Sequence, residues 1–137
     1  MPQPKGSRAM DAAVKLFSIA LGGALGAVAR HLVNISPVAG VFEKFPLPTF
    51  LINISGSFLL GFFLIMFADK IEVNEHVRLA VIVGFLGAFT TYSTFEMELY
   101  GLLRERQFLP MAIYLFLSIF IGFVGLLSGI WLARRFF

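Results

Sequence analysis

The sequence predicts an all-α integral membrane protein of four transmembrane helices, with the third helix broken in mid-membrane. Three observations carry this. Hydrophobic side chains make up 58% of the 137 residues and charged ones 14%, outside the range of soluble domains. The apolar residues gather into four runs separated by short charged or proline-bearing links, each run near the roughly 20 residues that cross a hydrocarbon core of about 30 Å. The third run contains Gly84-Phe85-Leu86-Gly87-Ala88-Phe89-Thr90-Thr91-Tyr92-Ser93-Thr94-Phe95, where Thr90 to Thr94 are five consecutive hydroxyl side chains. Hydroxyls competing with the backbone next to Gly84 and Gly87 favour a local break. At membrane depth a break survives only where it is buried in protein or lines a hydrated path. The stretch is therefore either a packed kink or a binding or permeation site.

In chain order, residues 1–13 hold two prolines, Gly6, Ser7, Lys5 and Arg8 and read as a polar N-terminal tail, with residues 14–137 forming one four-helix transmembrane domain. The expected spans are about 15–34, 49–68, 78–103 and 108–133. The first opens after Lys15 and imitates a cleavable signal peptide, with Ala27-Val28-Ala29 as a site. Its small residues are instead spread as Gly22, Gly23 and Gly26, the small-xxx-small pattern of helix packing, so it is expected to be retained. A loop with three prolines and the pair Glu43 and Lys44 leads to the second span, Thr49 to Ala68, which is uncharged. Asp69 to Arg78 turns the chain, and the third span then runs uncharged to Phe95 before meeting Glu96 and Glu98. Arg104, Glu105 and Arg106 make the next turn, and the fourth span ends in Trp131, Arg134 and Arg135, an interfacial anchor.

Four spans put both termini on one side. That side holds Lys5, Arg8, Lys15, Lys70, Arg78, Arg134 and Arg135, seven basic residues against four (Arg30, Lys44, Arg104, Arg106) on the other. The bias favours termini inside only weakly, and insertion in both orientations would suit an antiparallel homodimer.

Soluble and enzymatic classes fall away. There is no cysteine, no block of basic residues for nucleic acid, and no Walker lysine or serine elbow. His31 and His76 have no partner at metal-ligand spacing. What remains are polar residues inside spans. Asn53, in the uncharged second span, must either hydrogen-bond another helix or face a polar path, and Gly56, Ser57 and Gly61 follow it at helical spacing. In the fourth span Tyr114, Ser118 and Gly122 recur at i, i+4 and i+8, and Gly125 and Gly129 form a GxxxG pair. Glu96 and Glu98 point about 200° apart on a helix, so only one can face a given cavity.

These residues resemble the Fluc/CrcB fluoride channel family over all four spans. Gly22-Gly23-Ala24-Leu25-Gly26-Ala27-Val28-Ala29-Arg30 is similar to its glycine-rich opening, and Thr49-Phe50-Leu51-Ile52-Asn53 with Gly56, Phe58 and Gly61 to its second helix. The third-span stretch resembles its signature of a glycine-containing turn followed by Thr-Thr-Phe-Ser-Thr-Phe. The resemblance implies a dual-topology antiparallel homodimer with two pores at the interface, exporting fluoride passively from a bacterial cytoplasm across the inner membrane. It implies Asn53 as pore amide and Tyr92 and Phe95 at the positions of two pore phenylalanines, with Tyr114 and Ser118 continuing a polar track. The backbone carbonyls of Gly87 and Thr90 would hold a structural sodium ion, Glu98 falls where the family has a glutamate, and Arg30 would sit near an aqueous mouth. Pro48 stands where a glycine is usual and Tyr92 where phenylalanine is.

The chemistry agrees with a small anion. Fluoride holds its water tightly, and the Asn53 amide, the hydroxyls of Thr94 and Ser118 and the electropositive ring edges of Phe95 and Tyr92 could replace hydration without a fixed charge. Two other readings stand beside it: a four-span multidrug or cation exporter using Glu96 or Glu98, and a nonconducting membrane scaffold whose glycines only mediate assembly.

Overall fold

The computed structural model describes residues 5–136, and all regular structure among them is helical. Helix α1 runs Lys5–Asn34, and a short 3-10 turn Pro37–Gly40 follows. Helix α2, Leu47–Ile65, widens at its end into a π-helical turn, Met66–Lys70. The third span begins with α3, Glu75–Arg78, continues through a π-helical stretch Leu79–Leu86 into α4, Gly87–Phe89, and resumes as α5, Tyr92–Arg104. Helix α6, Phe108–Phe136, completes the chain. Four segments are long and apolar enough to cross a membrane, Arg8–Asn34, Leu47–Lys70, Glu75–Arg104 and Phe108–Phe136, so the chain is a multi-pass membrane protein.

Glycines decide which helices touch. A Cβ on Gly61 would strike the Leu126 carbonyl, and one on Gly129 the Phe58 carbonyl, so α2 and α6 pack backbone to backbone along one seam. A second seam joins α1 to the first half of the third span, where a Cβ on Gly22 would meet the Ala80 carbonyl and one on Gly26 the Phe85 carbonyl. The second seam holds the π-helical stretch flat against α1. The small-residue patterns read from the sequence are therefore packing surfaces within the chain.

The N-terminal end differs from expectation. Residues 5–13, read as a loose polar tail, continue α1 as regular helix; residues 1–4 lie outside the described residues. Arg8 to Ala13 is rich in helix formers once Gly6 and Ser7 are passed. Ion pairs add to this: within α1 Lys15 bonds Asp11 at 3.0 Å, and across to α3 it bonds Glu75 at 2.9 Å, with the His76 imidazole 3.6 Å from Asp11. The short α3 thus clasps the start of α1.

At the opposite face, α5 ends in a Schellman turn, with Gln107 N–H on the Leu102 carbonyl (2.8 Å) and Arg106 N–H on Leu103 (3.0 Å). Arg106 takes the left-handed position, φ 57°, that glycine usually fills. This tight turn sets α6 back alongside α5 and so fixes the depth of Tyr114 against Glu98.

Candidate functional site

The break falls at Thr90 and Thr91, both extended (ψ 156° and 111°) between α4 and α5. Each end is closed by its own hydroxyl. Thr90 caps α4 by giving both its N–H (3.0 Å) and its Oγ1–H (2.9 Å) to the Leu86 carbonyl. Thr91 is the N-cap of α5: its Oγ1 accepts from the Thr94 N–H at 3.2 Å and donates to Thr94 Oγ1 at 2.8 Å. The backbone groups that Thr91 cannot satisfy locally are taken by α2. Asn53 Nδ2 donates to the Thr91 carbonyl (3.1 Å), and its Oδ1 accepts from the Thr91 N–H (2.8 Å). One side-chain amide thereby replaces a missing turn of backbone pairing. Gly56 makes room one turn further along α2, because a Cβ there would collide with the Thr90 methyl.

A cavity of about 350 Å³ opens beside the break, lined by Asn53, Gly56, Ser57, Leu60, Ile82, Leu86, Gly87, Thr90, Thr91, Tyr92, Phe95, Ser118 and Ile119. None of these residues carries a charge. Ser118 Oγ, from α6, is buried with no hydrogen-bond partner. The cavity is open on its flank, where Tyr92 is 72% exposed and Gly87 is also exposed.

A second cavity of about 300 Å³ lies at the membrane face near the loop before α2, lined by Phe42, Glu43, Lys44, Phe45, Glu98, Glu105 and neighbours. Between the two stand Phe95, Thr49 and Tyr114, all buried, the last two sharing one carboxylate. Thr49 Oγ1 donates to Glu98 Oε1 at 2.6 Å, and the Tyr114 hydroxyl donates to Glu98 Oε2 at 2.7 Å. Helices α2, α5 and α6 meet at this carboxylate. The Tyr114 ring packs edge-on to Phe95, with centroids 5.0 Å apart, and Phe95 in turn stands 6.1 Å from Tyr92.

The residues expected at the site divide as follows. Asn53, Tyr92, Phe95, Ser118, Gly87 and Thr90 line the first cavity. Thr94 is not among the residues lining it; its hydroxyl oxygen accepts from Thr91 Oγ1. Tyr114 is fully buried in the wall beside it and bonds Glu98, with Thr49 on the other oxygen. Glu98 faces inward and Glu96 is exposed, which settles their opposed directions. Arg30, near the end of α1, is half-buried and not among the residues lining either cavity. Sequence reasoning did not single out Thr91, whose backbone is the partner of Asn53, although Thr91-x-x-Thr94 has the spacing of a hydroxyl N-cap. It also passed over Phe45 and Phe50, which pack on the buried Phe95 and Tyr114 cluster.

Fold and site together define a small multi-pass membrane protein built around a broken helix with an uncharged polar cavity at the break. Residues 17–130 match the model of a family described as CrcB-like protein, Camphor Resistance (CrcB). The chain belongs to that family. It is similar to a fluoride-specific ion channel FluC of Methylococcus capsulatus, 43% identical over 89% of this chain and 54% of that protein. It is also similar to FluC 2 of Carboxydothermus hydrogenoformans, 46% identical over 83% of this chain and 81% of the relative. A FluC of Solibacter usitatus is 36% identical over 89% of this chain and its own whole length.

Proposed function

We propose that this chain is a passive, fluoride-selective channel of the bacterial inner membrane that lets fluoride leave the cytoplasm, and that it works as an antiparallel homodimer. The observation that carries the reading is the uncharged cavity at the break, into which Asn53, Ser118 and the Tyr92 and Phe95 rings project around an unpartnered buried hydroxyl. Such a surface exchanges water for neutral donors. A fixed cation there would hold the ion too long, and a carboxylate would repel it. The relatives named as fluoride channels support the same ion.

The break adds directional polarity. Helix α5 begins at Tyr92, which lines the cavity, and the positive end of its dipole there favours an anion. The carbonyl end of α4 carries the opposite polarity. Gly87 and Thr90 would hold a structural sodium ion by backbone oxygen, a donor set that suits a hard cation and needs no acidic side chain; no His, Cys, Asp or Glu cluster for a metal occurs among the described residues. That ion would neutralise the carbonyl end of the break.

Lipid cannot satisfy a hydroxyl in mid-membrane, so the exposed Tyr92 and the open flank call for a second copy. The weak asymmetry in basic residues supports opposite insertion of the two. The exporter alternative is not favoured: Glu98 already holds two donors and Glu96 is exposed, which leaves no free buried acid for proton exchange.

The test is fluoride efflux from loaded liposomes, read with a fluoride electrode. Purified protein should release fluoride while chloride stays trapped. Absence of release from properly inserted dimeric protein would overturn the reading.

A further inference from the structure

Phe45 stands where the loop enters α2, and its ring meets three others, those of Phe42 in the same loop, Phe50 and Tyr114. It precedes Pro46, the cap residue of α2, and its ring lies edge-on to Phe50, 5.1 Å away. Phe50 is four residues past the cap, so the pair is a hydrophobic staple, which fixes the angle of chain entry into a helix. A staple requires only Phe50. Phe45 also meets the Tyr114 ring edge-on at 5.3 Å. Tyr114 therefore has an aromatic partner in Phe45 from the loop and another in Phe95 from α5.

The two partners differ in exposure. Phe95 is buried, whereas Phe45 is half-buried and lines the cavity at the membrane face, as Glu98 does. Without the Phe45 ring, the Tyr114 ring would border open space on that side, and the Glu98 carboxylate would lose the geometry of its 2.7 Å bond to the hydroxyl.

We propose that Phe45 is a positioning residue for the ion pathway: from the loop it holds the Tyr114 ring in the orientation that keeps the hydroxyl on Glu98. The proposal rests on the fluoride-channel reading, since its effect is read as ion flux. It assigns to a loop ring a role in keeping the wall between the two cavities in its conducting arrangement.

The experiment compares fluoride efflux from liposomes for the wild type, Phe45→Ala, Phe45→Tyr, Phe50→Ala and Tyr114→Phe, with Phe45→Ala also placed in the Tyr114→Phe background. Phe45→Ala should slow efflux by about tenfold, the order expected for losing one edge-to-face aromatic contact. Phe45→Tyr, which keeps the ring, should restore most of the rate. Phe50→Ala, which removes the staple and one side chain packed on the cluster but leaves the Phe45 and Tyr114 rings in contact, should slow efflux less than Phe45→Ala does. In the Tyr114→Phe background, Phe45→Ala should add nothing, because the bond it protects is already absent. Equal slowing by Phe45→Ala in both backgrounds, equal slowing by Phe50→Ala, or unchanged efflux in Phe45→Ala would each overturn the proposal. If Phe45→Ala does not give monodisperse protein, Phe45→Leu keeps the bulk without the ring edge and carries the same comparison. If efflux in Tyr114→Phe falls below detection, the same cycle read as melting midpoints decides the coupling. Wild-type protein that releases no fluoride overturns the channel reading instead, and the melting cycle still tests the contact.

Discussion

Replacing Asn53 with leucine removes both hydrogen bonds that close the broken helix while nearly conserving volume. The Thr91 N–H, on a residue 7% exposed, would then have no partner in the membrane, and the Thr91 C=O, as the cap carbonyl of α5, would keep only the first bond of that helix. At the values measured for hydrogen bonds between membrane helices, roughly 0.6 to 1.7 kcal/mol each, the loss is about 1–3 kcal/mol. The full penalty for one orphaned buried N–H, roughly 1–3 kcal/mol, added to the lost bond at the carbonyl, would raise it to about 5 kcal/mol. The lower figure sets the expectation, because a destabilised break can re-form helical pairing. Thermal melting of the purified protein in detergent, followed by the size-exclusion peak, should fall by several degrees at a few degrees per kcal/mol. Asn53→Asp separates structure from permeation. It keeps an acceptor for the Thr91 N–H, sets a carboxylate against the Thr91 carbonyl, and places negative charge at the cavity. Its fluoride efflux should drop by at least about tenfold even where folded protein is recovered. An Asn53→Leu protein that melts within a degree of wild type would refute the claim that this amide closes the break.

Two further predictions follow from the site. Tyr92→Phe removes a hydroxyl from an exposed ring on the cavity's flank, and efflux should rise or fall by at least about twofold; an unchanged rate would mean the hydroxyl lies outside the ion's path. Gly56→Ala should reduce both folded yield and efflux, because its methyl would occupy the place of the Thr90 methyl, whereas Gly40→Ala, with open space around it, should match wild type in both measurements.

The fold was legible because each of its determinants is local in the chain. Twenty apolar residues announce a span wherever it packs, and five hydroxyls after Gly87 announce a break whatever lies opposite. Asn53 was legible as a choice between bonding a helix and facing a polar path, and the structure gives it both tasks: its amide is bonded to Thr91, and it also lines the cavity. Less could be read where the partner is remote. Glu98 meets Thr49 across 49 positions and Tyr114 across 16, and no spacing rule connects them. Tyr114 and Ser118 share a stripe on α6, yet a neighbouring helix buries one completely and the other borders the cavity. Thr94 has a local bond that its spacing from Thr91 hinted at, since its hydroxyl oxygen accepts from Thr91 in the cap of its own helix. Helical residues 5–13 are approached by His76 of the third span, which stands 3.6 Å from Asp11, a contact that composition cannot reveal.

The Asn53–Thr91 pairing also dictates a sequence of events during biosynthesis. The two residues are 38 positions apart, so α2 enters the bilayer with a bare carboxamide and waits for the third span to be synthesised. Until then that carboxamide favours water or the insertion machinery over lipid, which delays full release of α2. When the third span arrives, its two short halves are poor candidates for independent insertion, and the waiting amide offers them a docking point. Chains halted before Thr91 should therefore remain bound to the insertion apparatus, while chains extended past α5 leave it as a closed hairpin.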